Sequence, residues 1–317
     1  MSLFADRLSD AVARMGNPTV MGLDPMLEYV PDSLISRAAA KGGTPAEIAA
    51  DALLAFNCRL IDATMDIVPA VKLQSAYYEM YGPPGVRAFA DTIAYAGGKG
   101  MLVIADCKRN DIGSTAEAYA TAYLGRTRLP GGQEAPMFGA DALTVNPYFG
   151  LDGIEPFLVL CRQEGKGIYI LVRTSNPSAG EFQDMELANG NRLYEHVADQ
   201  VARWGAGILG RCGYSSVGAV VGATWPEQAE SLRRRLPGVP FLIPGYGAQG
   251  GAAADVCAGF DATGGGALVN ASRSLMCAWR KTADMDKERF DEACRAEAVR
   301  MRDEIRLALE KADNSGE

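Results

Sequence analysis

The chain has 317 residues, of which 48% are hydrophobic, and this is enough apolar material for one large core. Its formal net charge of -8 argues against a surface that neutralises a nucleic-acid backbone, but it allows a local basic pocket for one phosphate. The N-terminal stretch carries charges throughout and lacks a long apolar run, so we expect neither a signal peptide nor a membrane span.

Eight short apolar runs recur along the chain, with helical stretches between them. No polar alternation breaks the runs, as is typical of strands that are buried on both faces of a parallel sheet. They cover residues 18–23, 67–73, 101–105, 142–145, 167–172, 217–221, 239–243 and 267–270. Helical spacing is found over residues 45–66, 85–95, 191–206 and 225–236. The alternation predicts an α/β fold, a (β/α)8 TIM barrel, as a single domain over residues 1–317.

Three connections are long and rich in glycine, proline or polar residues. They cover residues 25–44, 124–139 and 176–190, positions where barrel enzymes keep lids and interface arms. The last stretch, residues 284–311, is predicted to be a long closing helix without a catalytic role. Its apolar stripe consists of Phe290, Cys294, Ala298, Met301, Ile305 and Ala308.

Two residue counts restrict the chemistry. Seven cysteines without a CxxC pair indicate reduced thiols in a cytoplasmic protein, not a disulfide framework or a zinc site. The single histidine, His196, lies in a helix-like stretch where a surface role is expected. Because most metal sites and most serine or cysteine hydrolase sites need histidine, we expect chemistry that depends on carboxylates and lysines.

Charged residues lie at the ends of the first three predicted strands. The strongest motif, DCKRND, begins at Asp106 and ends at Asp111, and its first and third residues share one face of a strand. Asp24 ends the first strand, and Lys72 lies within the apolar second strand. A buried lysine is costly unless a carboxylate pairs with it, so Asp24 and Asp106 are its expected partners. The motif alone is also compatible with solvated charges at a strand end.

Later strands are followed by groups that suit an anion and a heterocycle. A glycine-rich turn follows the seventh strand and Arg273 follows the eighth, which is where such barrels bind phosphate. A Thr-Ser-Asn segment centred on Ser175 follows the fifth strand and could read the edge of a neutral ring, or simply cap a turn. Thr144 and Asn146 are ambiguous for the same reason.

In this order, the motifs resemble those of orotidine 5′-phosphate decarboxylases, specifically the longer bacterial type. The resemblance covers nearly the whole chain, and its most specific element is the segment from Asp106 to Thr115. Lys72, the Thr-Ser-Asn segment and the sequence GYGAQGG support it. The resemblance implies that orotidine 5′-phosphate is decarboxylated to UMP in pyrimidine biosynthesis, without a metal or another cofactor.

The resemblance also implies catalytic roles. Asp106 would lie against the substrate carboxylate, and Lys108 would protonate C6 as CO2 leaves. Lys72 would join the charged array and hold the ribose. Asp111 and Thr115 would reach into the neighbouring subunit's site, which implies a homodimer with shared active sites.

The binding residues follow from the same resemblance. Asp24 would bind a ribose hydroxyl, Ser175 would contact the pyrimidine, and Gln249 with Arg273 would bind the phosphate.

Two alternatives stay open at this point. A sugar-phosphate decarboxylase or aldolase on a similar barrel could use a DxKxxD stretch to hold magnesium. A nucleotide-phosphate binding protein without catalysis could also keep the anion site.

Overall fold

Eight parallel strands form a closed barrel in the computed structural model, which describes residues 2–246, 253–281 and 285–314. Each strand pairs with its neighbours in sequence, and the eighth pairs with the first. The barrel strands are β1 Thr19–Leu23, β2 Ala70–Gln74, β3 Leu102–Arg109, β4 Ala142–Val145, β5 Gly167–Arg173, β6 Val217–Val221, β7 Phe241–Pro244 and β8 Ala267–Ala271. The predicted (β/α)8 barrel is therefore confirmed, with each of the eight predicted strands in place.

Helices connect the strands on the outside of the barrel. Those of at least eight residues are Phe4–Met15, Asp32–Ala40, Pro45–Thr64, Gly82–Gly98, Gly113–Tyr123, Leu151–Gln163, Leu193–Gly205, Pro226–Arg235 and Phe290–Asn314. Shorter helices are Ala76–Glu79, Gly180–Gln183, Ala253–Cys257 and Arg273–Met276. None of the helices in these described ranges is long and apolar enough to cross a membrane.

The three long connections contain short elements. The connection over residues 25–44 holds a 3-10 turn, Leu27–Tyr29, and the helix Asp32–Ala40. The second contains a small hairpin of Thr127–Arg128 and Glu134–Ala135. The third contains the helix Gly180–Gln183.

One end of the barrel is closed by the N-terminal helix. Phe4 of this helix is buried and packs edge-on against Tyr169 of β5, with ring centroids 6.2 Å apart. Inward-facing residues of the strands complete this apolar floor: Val20, Ala70, Leu102, Ile104, Ala142, Val220, Leu242 and Leu268. Because the described residues fill this end with apolar side chains, we expect a small molecule to enter from the opposite end, where the strands have their carboxyl termini.

The C-terminal helix packs on the outside of the barrel. Its predicted stripe is buried from Phe290 to Ile305, whereas Ala308 is partly exposed. Phe290 stacks on Phe56, with ring centroids 4.5 Å apart. The apolar spacing read from the sequence therefore corresponds to the packed face of this helix.

Candidate active site

A cavity of about 570 Å3 opens at the carboxyl ends of the barrel strands. Its volume lies within the range of small-molecule sites, about 300–1,000 Å3. The ends of β1 to β4 line one side with charged and polar residues, namely Asp24, Lys72, Gln74, Asp106, Lys108 and Thr144. The other side is lined by residues that follow β5, β7 and β8, namely Thr174, Ser175, Asn176, Gly245, Tyr246, Ser272 and Arg273.

The carboxylate of Asp106 is the centre of the charged side. Its Oδ2 accepts from Lys72 Nζ at 2.8 Å and from Gln74 Nε2 at 3.1 Å. Its Oδ1 accepts from Lys108 Nζ at 2.6 Å and from Thr144 Oγ1 at 2.8 Å. Two ammonium groups and two neutral donors therefore hold one largely buried carboxylate in a fixed position.

The two buried ionisable groups of this array, Asp106 and Lys72, are both charged. Burial alone would raise the pKa of Asp106, but the charges of Lys72 and Lys108 and their hydrogen bonds hold this pKa well below its usual range. Burial would likewise lower the pKa of Lys72, but the carboxylates of Asp106 and Asp24 raise it above its usual range. Neither Asp106 nor Lys72 changes its charge near neutral pH, so this buried ion pair persists across that range.

The backbone of Lys108 is held in an unusual conformation. Its φ of 49° is the one left-handed value among the described residues other than glycine, and such values cost about 1–3 kcal/mol. The residue lies in a bulge, where Asp106, Cys107 and Lys108 of β3 lie opposite the single Thr144 of β4. The Lys108 N–H donates to Thr144 Oγ1 at 3.0 Å. The bulge directs the ammonium of Lys108 into the cavity, and its side chain is 43% exposed against 5% for Lys72.

One carboxylate oxygen of Asp24 accepts no hydrogen bond from the described residues. Its Oδ1 lies 3.6 Å from Lys72 Nζ and is buried, and no hydrogen-bond donor of the described ranges reaches it. A buried acceptor without a donor is costly unless a ligand supplies one. Because Asp24 lines the cavity, a hydroxyl of a bound molecule can fill this position.

Residues 44–286 match the model of the orotidine 5′-phosphate decarboxylase / HUMPS family. This chain belongs to that family. A Rhodopirellula baltica protein named orotidine 5′-phosphate decarboxylase is 42% identical over 309 residues, which are 96% of this chain and 100% of the relative. A Clostridium perfringens protein of the same name is 40% identical over 98% of this chain and 100% of its own length. These full-length bacterial matches confirm the resemblance to the longer bacterial type.

Solved structures agree with this assignment. The Leishmania donovani OMP decarboxylase structure superposes with a TM-score of 0.72 at 30% identity. The superposition covers 98% of this chain and 99% of the other.

The segment Thr174–Ser175–Asn176 follows β5 in this member of the decarboxylase family, and we call it the 174–176 segment. It lies beside the end of β6, where Gly222 contacts Ser175 directly. A Cβ atom added to Gly222 would lie 2.8 Å from Ser175 Cβ and 3.0 Å from Ser175 N. Only a residue without a side chain fits at position 222 while Ser175 stays in place.

We expect Gly222→Ala to lower the free energy of unfolding by about 1–3 kcal/mol, because the methyl group overpacks this contact. Urea denaturation measures the change. The matched control is Gly207→Ala, where an added Cβ meets no atom within 4 Å. Equal stability of the two variants would show that Ser175 moves away freely.

Arg273 is the described residue on the side of the cavity where the family resemblance predicts the phosphate. Arg273 is the first residue of the helix Arg273–Met276 and lines the cavity near Gly245. Gln249, the other phosphate residue that the resemblance implies, lies outside the described residues.

Asp111 and Thr115 do not line the cavity of this chain. Thr115 is exposed, and Asp111 is partly exposed, with its Oδ1 accepting from the N–H of Ile112 at 2.8 Å. Both residues follow β3 on the outer surface of the barrel mouth, so within one chain they are separate from the array around Asp106.

Sequence reasoning missed two members of the charged array in this decarboxylase family member. Gln74 lies two residues after Lys72 and shares its face of β2, which is a signal that the alternation of strand residues could have supplied. Thr144 was ambiguous because a threonine at a strand end usually serves a turn. Thr144 reaches Asp106 and Lys108 because of the bulge in β3, and no local sequence pattern predicts this bulge.

Proposed function

We propose that this chain decarboxylates orotidine 5′-phosphate to UMP, and that Lys108 delivers the proton to C6. The observation that carries the proposal is the array at Asp106, where a carboxylate and two ammonium groups are fixed at the cavity mouth. The family relationship and the full-length relatives named for this activity support the same reaction.

The array suits the charges that the reaction creates. The bond between C6 and the carboxylate carbon breaks, CO2 leaves, and the electron pair stays on C6. Lys108 can stabilise this negative charge and then transfer a proton to it. The resulting neutral amine regains its proton from solvent, because the side chain is 43% exposed. No electrons are exchanged with another group, so the balance needs no oxidant or reductant.

Asp106 is placed to repel the substrate carboxylate that leaves as CO2. A substrate carboxylate that approaches Lys108 also approaches Asp106, since the two side chains are 2.6 Å apart. Two like charges in a partly buried site repel each other. The repulsion disappears when CO2 leaves, while the attraction between Lys108 and the carbanion grows, so the site favours the transition state over the bound substrate.

The remaining residues of the cavity would bind the nucleotide. The open acceptor of Asp24 is placed for a ribose hydroxyl, and Lys72 beside it would hold the same part of the substrate. Ser175 in the 174–176 segment would contact the pyrimidine edge. Arg273 would bind the phosphate together with Gln249, whose role rests on the family resemblance.

The donor set around Asp106 does not suit magnesium, which the sugar-phosphate alternative would place there. Each oxygen of this carboxylate already accepts two hydrogen bonds, and two ammonium groups beside it repel a divalent cation. We therefore propose a reaction that needs no metal. The experiment measures CO2 release from carboxyl-labelled orotidine 5′-phosphate with and without EDTA. Loss of activity in EDTA would favour the metal-dependent alternative, and tight UMP binding without CO2 release would overturn the decarboxylase proposal.

We further propose a homodimer in which Asp111 and Thr115 complete the partner's site. Exposed apolar side chains are found next to Asp111 in the chain, at Ile112, and in the segment after β4, at Tyr148, Phe149 and Leu151. A Cβ added to Gly153 would lie 3.0 Å from Asp111 O and 2.9 Å from Phe149 Cβ, so this patch is continuous with the loop that carries Asp111. Contiguous exposed apolar patches of this kind mark protein–protein contacts.

The cysteines support a cytoplasmic location as part of this proposal. All seven are free thiols, and four of them are buried. Proteins of oxidising compartments generally pair their cysteines, whereas a reducing cytoplasm keeps them as thiols.

The phosphate assignment of Arg273 predicts a ligand-dependent loss. We expect Arg273→Ala to weaken UMP binding roughly a hundredfold, because a charged fork to phosphate is removed, and to change uridine binding less than about threefold. Titration calorimetry with both ligands measures this. The control is Arg234→Ala, an exposed arginine outside the cavity that pairs with Glu230 at 2.6 Å. If UMP and uridine lose affinity to a similar extent, Arg273 does not bind the phosphate.

A further inference from the structure

The 174–176 segment is held from behind by a residue that neither the sequence motifs nor the cavity lining includes. We propose that Gln183, the last residue of the helix Gly180–Gln183, is a positioning residue that fixes this segment for recognition of the substrate's base. The proposal rests on the proposed function, since it deepens the role of Ser175 and its neighbours at the same site.

Three hydrogen bonds join Gln183 to Thr174, the first residue of the segment, and to Arg173 just before it. Its Oε1 accepts from the Thr174 N–H at 3.0 Å and from Arg173 Nη1 at 3.3 Å. Its Nε2 donates to Thr174 Oγ1 at 2.7 Å. The orientation of the amide is therefore determined, because a flipped amide would set its NH2 against two other donors.

The hydrogen bonds continue in one direction along the segment. Because Thr174 Oγ1 accepts from Gln183, its own proton is directed to Asn176 Oδ1 at 2.6 Å. The amide of Asn176 then donates to Ser178 Oγ at 3.4 Å. Gln183 thus determines which atoms of Thr174 and Asn176, the neighbours of Ser175, donate and which accept. These directions decide which edge of a pyrimidine ring can form hydrogen bonds with the segment.

The anchor behind Gln183 is Arg173. Arg173 is buried and pairs with Asp184 at 3.2 Å, and this contact ties the short helix to the end of β5. The Arg173 guanidinium also lies over the rings of Trp225 and Tyr194, at 5.2 and 5.4 Å from their centroids. The third long connection is therefore joined to the barrel by charge and by aromatic contacts at the point where Gln183 meets the segment.

The test compares ligands with and without a base. In Gln183→Met, which keeps the volume and removes all three hydrogen bonds, we expect the Kd of UMP to rise roughly tenfold and kcat/KM for orotidine 5′-phosphate to fall by a similar factor. Inhibition by ribose 5-phosphate, which has no base, should change less than about twofold. Gln183→Glu keeps the acceptor oxygen, so its Kd for UMP and its kcat/KM should lie between those of Gln183→Met and the wild type. If Gln183→Met does not fold, Gln183→Glu provides the test.

The control variant is Glu181→Gln, an exposed residue of the same helix, which should leave all three measurements unchanged. Unchanged UMP affinity in both Gln183 variants would overturn the proposal. Equal weakening of UMP and ribose 5-phosphate would also overturn it, because a general loss of structure affects both ligands alike. A wild-type chain that binds UMP but releases no CO2 would instead contradict the proposed function, and the comparison of the two ligands would still test Gln183.

Discussion

Lys108→Ala is expected to lower kcat for orotidine 5′-phosphate by about a thousandfold or more while the fold is retained. Loss of a proton donor alone costs about 10²–10⁴ in rate, and loss of the positive charge at C6 adds to it. Asp106 would then keep Lys72, Gln74 and Thr144 as donors, so the buried carboxylate remains compensated. Steady-state CO2 release measures the rate, and circular dichroism and thermal unfolding measure the fold.

The control for this variant is Lys99→Ala, a lysine outside the cavity that pairs with Asp62 at 2.7 Å. It should stay within about twofold of the wild type, since exposed ion pairs contribute little. A Lys108→Ala enzyme that keeps a tenth of its activity has lost only about 1.4 kcal/mol of barrier reduction. Such a result would show that the proton on C6 comes from another group.

Much of the fold could be predicted because barrel strands are buried on both faces. Apolar runs such as residues 217–221 coincide with their strands, since no polar residue interrupts the buried segment. Helices were harder to predict. The helix Gly113–Tyr123 is rich in small and polar residues and has weak amphipathic spacing, and Asp32–Ala40 lies in a connection bounded by proline and glycine. Both are stabilised by tertiary packing more than by local pattern.

The charged array was predictable for an energetic reason. A lysine in an apolar strand requires a carboxylate, and only neighbouring strands could supply one, so the pairing of Lys72 with Asp24 and Asp106 followed before any coordinates. The common direction of Asp106 and Lys108 was also expected, but from a regular strand. The structure reaches it through a bulge and a left-handed Lys108.

Contacts between distant segments could not be read from the sequence. Gln183 meets Thr174 only because the third long connection folds back onto the end of β5, and local spacing does not encode such a return. The location of Asp111 is a different case, because its place after the apolar run predicts that the chain has left the strand there. In the structure β3 ends at Arg109, and Asp111 is partly exposed. Its proposed role therefore depends on a second copy of the chain.

Mixing two inactive variants should restore activity if that second copy completes the site. Asp111→Ala and Lys108→Ala homodimers would each have two defective sites. In a mixed dimer, one site would combine the unmutated Lys108 of one chain with the unmutated Asp111 of the other. The second site would lack both residues. Random exchange makes half of the dimers mixed, so about a quarter of the wild-type activity is expected from the two-fold symmetry.

The measurement mixes equal amounts of the two variants, allows subunit exchange under mild denaturant, and follows CO2 release after dilution. The control mixes Asp111→Ala with the double variant Asp111→Ala/Lys108→Ala, which cannot form an intact site and should stay inactive. Exchange is verified with a size-tagged copy of one variant. If mixed dimers form and activity stays at the level of the parents, Asp111 does not act across the interface. The exposed patch of Ile112, Tyr148, Phe149 and Leu151 would then need a different explanation from the shared site that we propose.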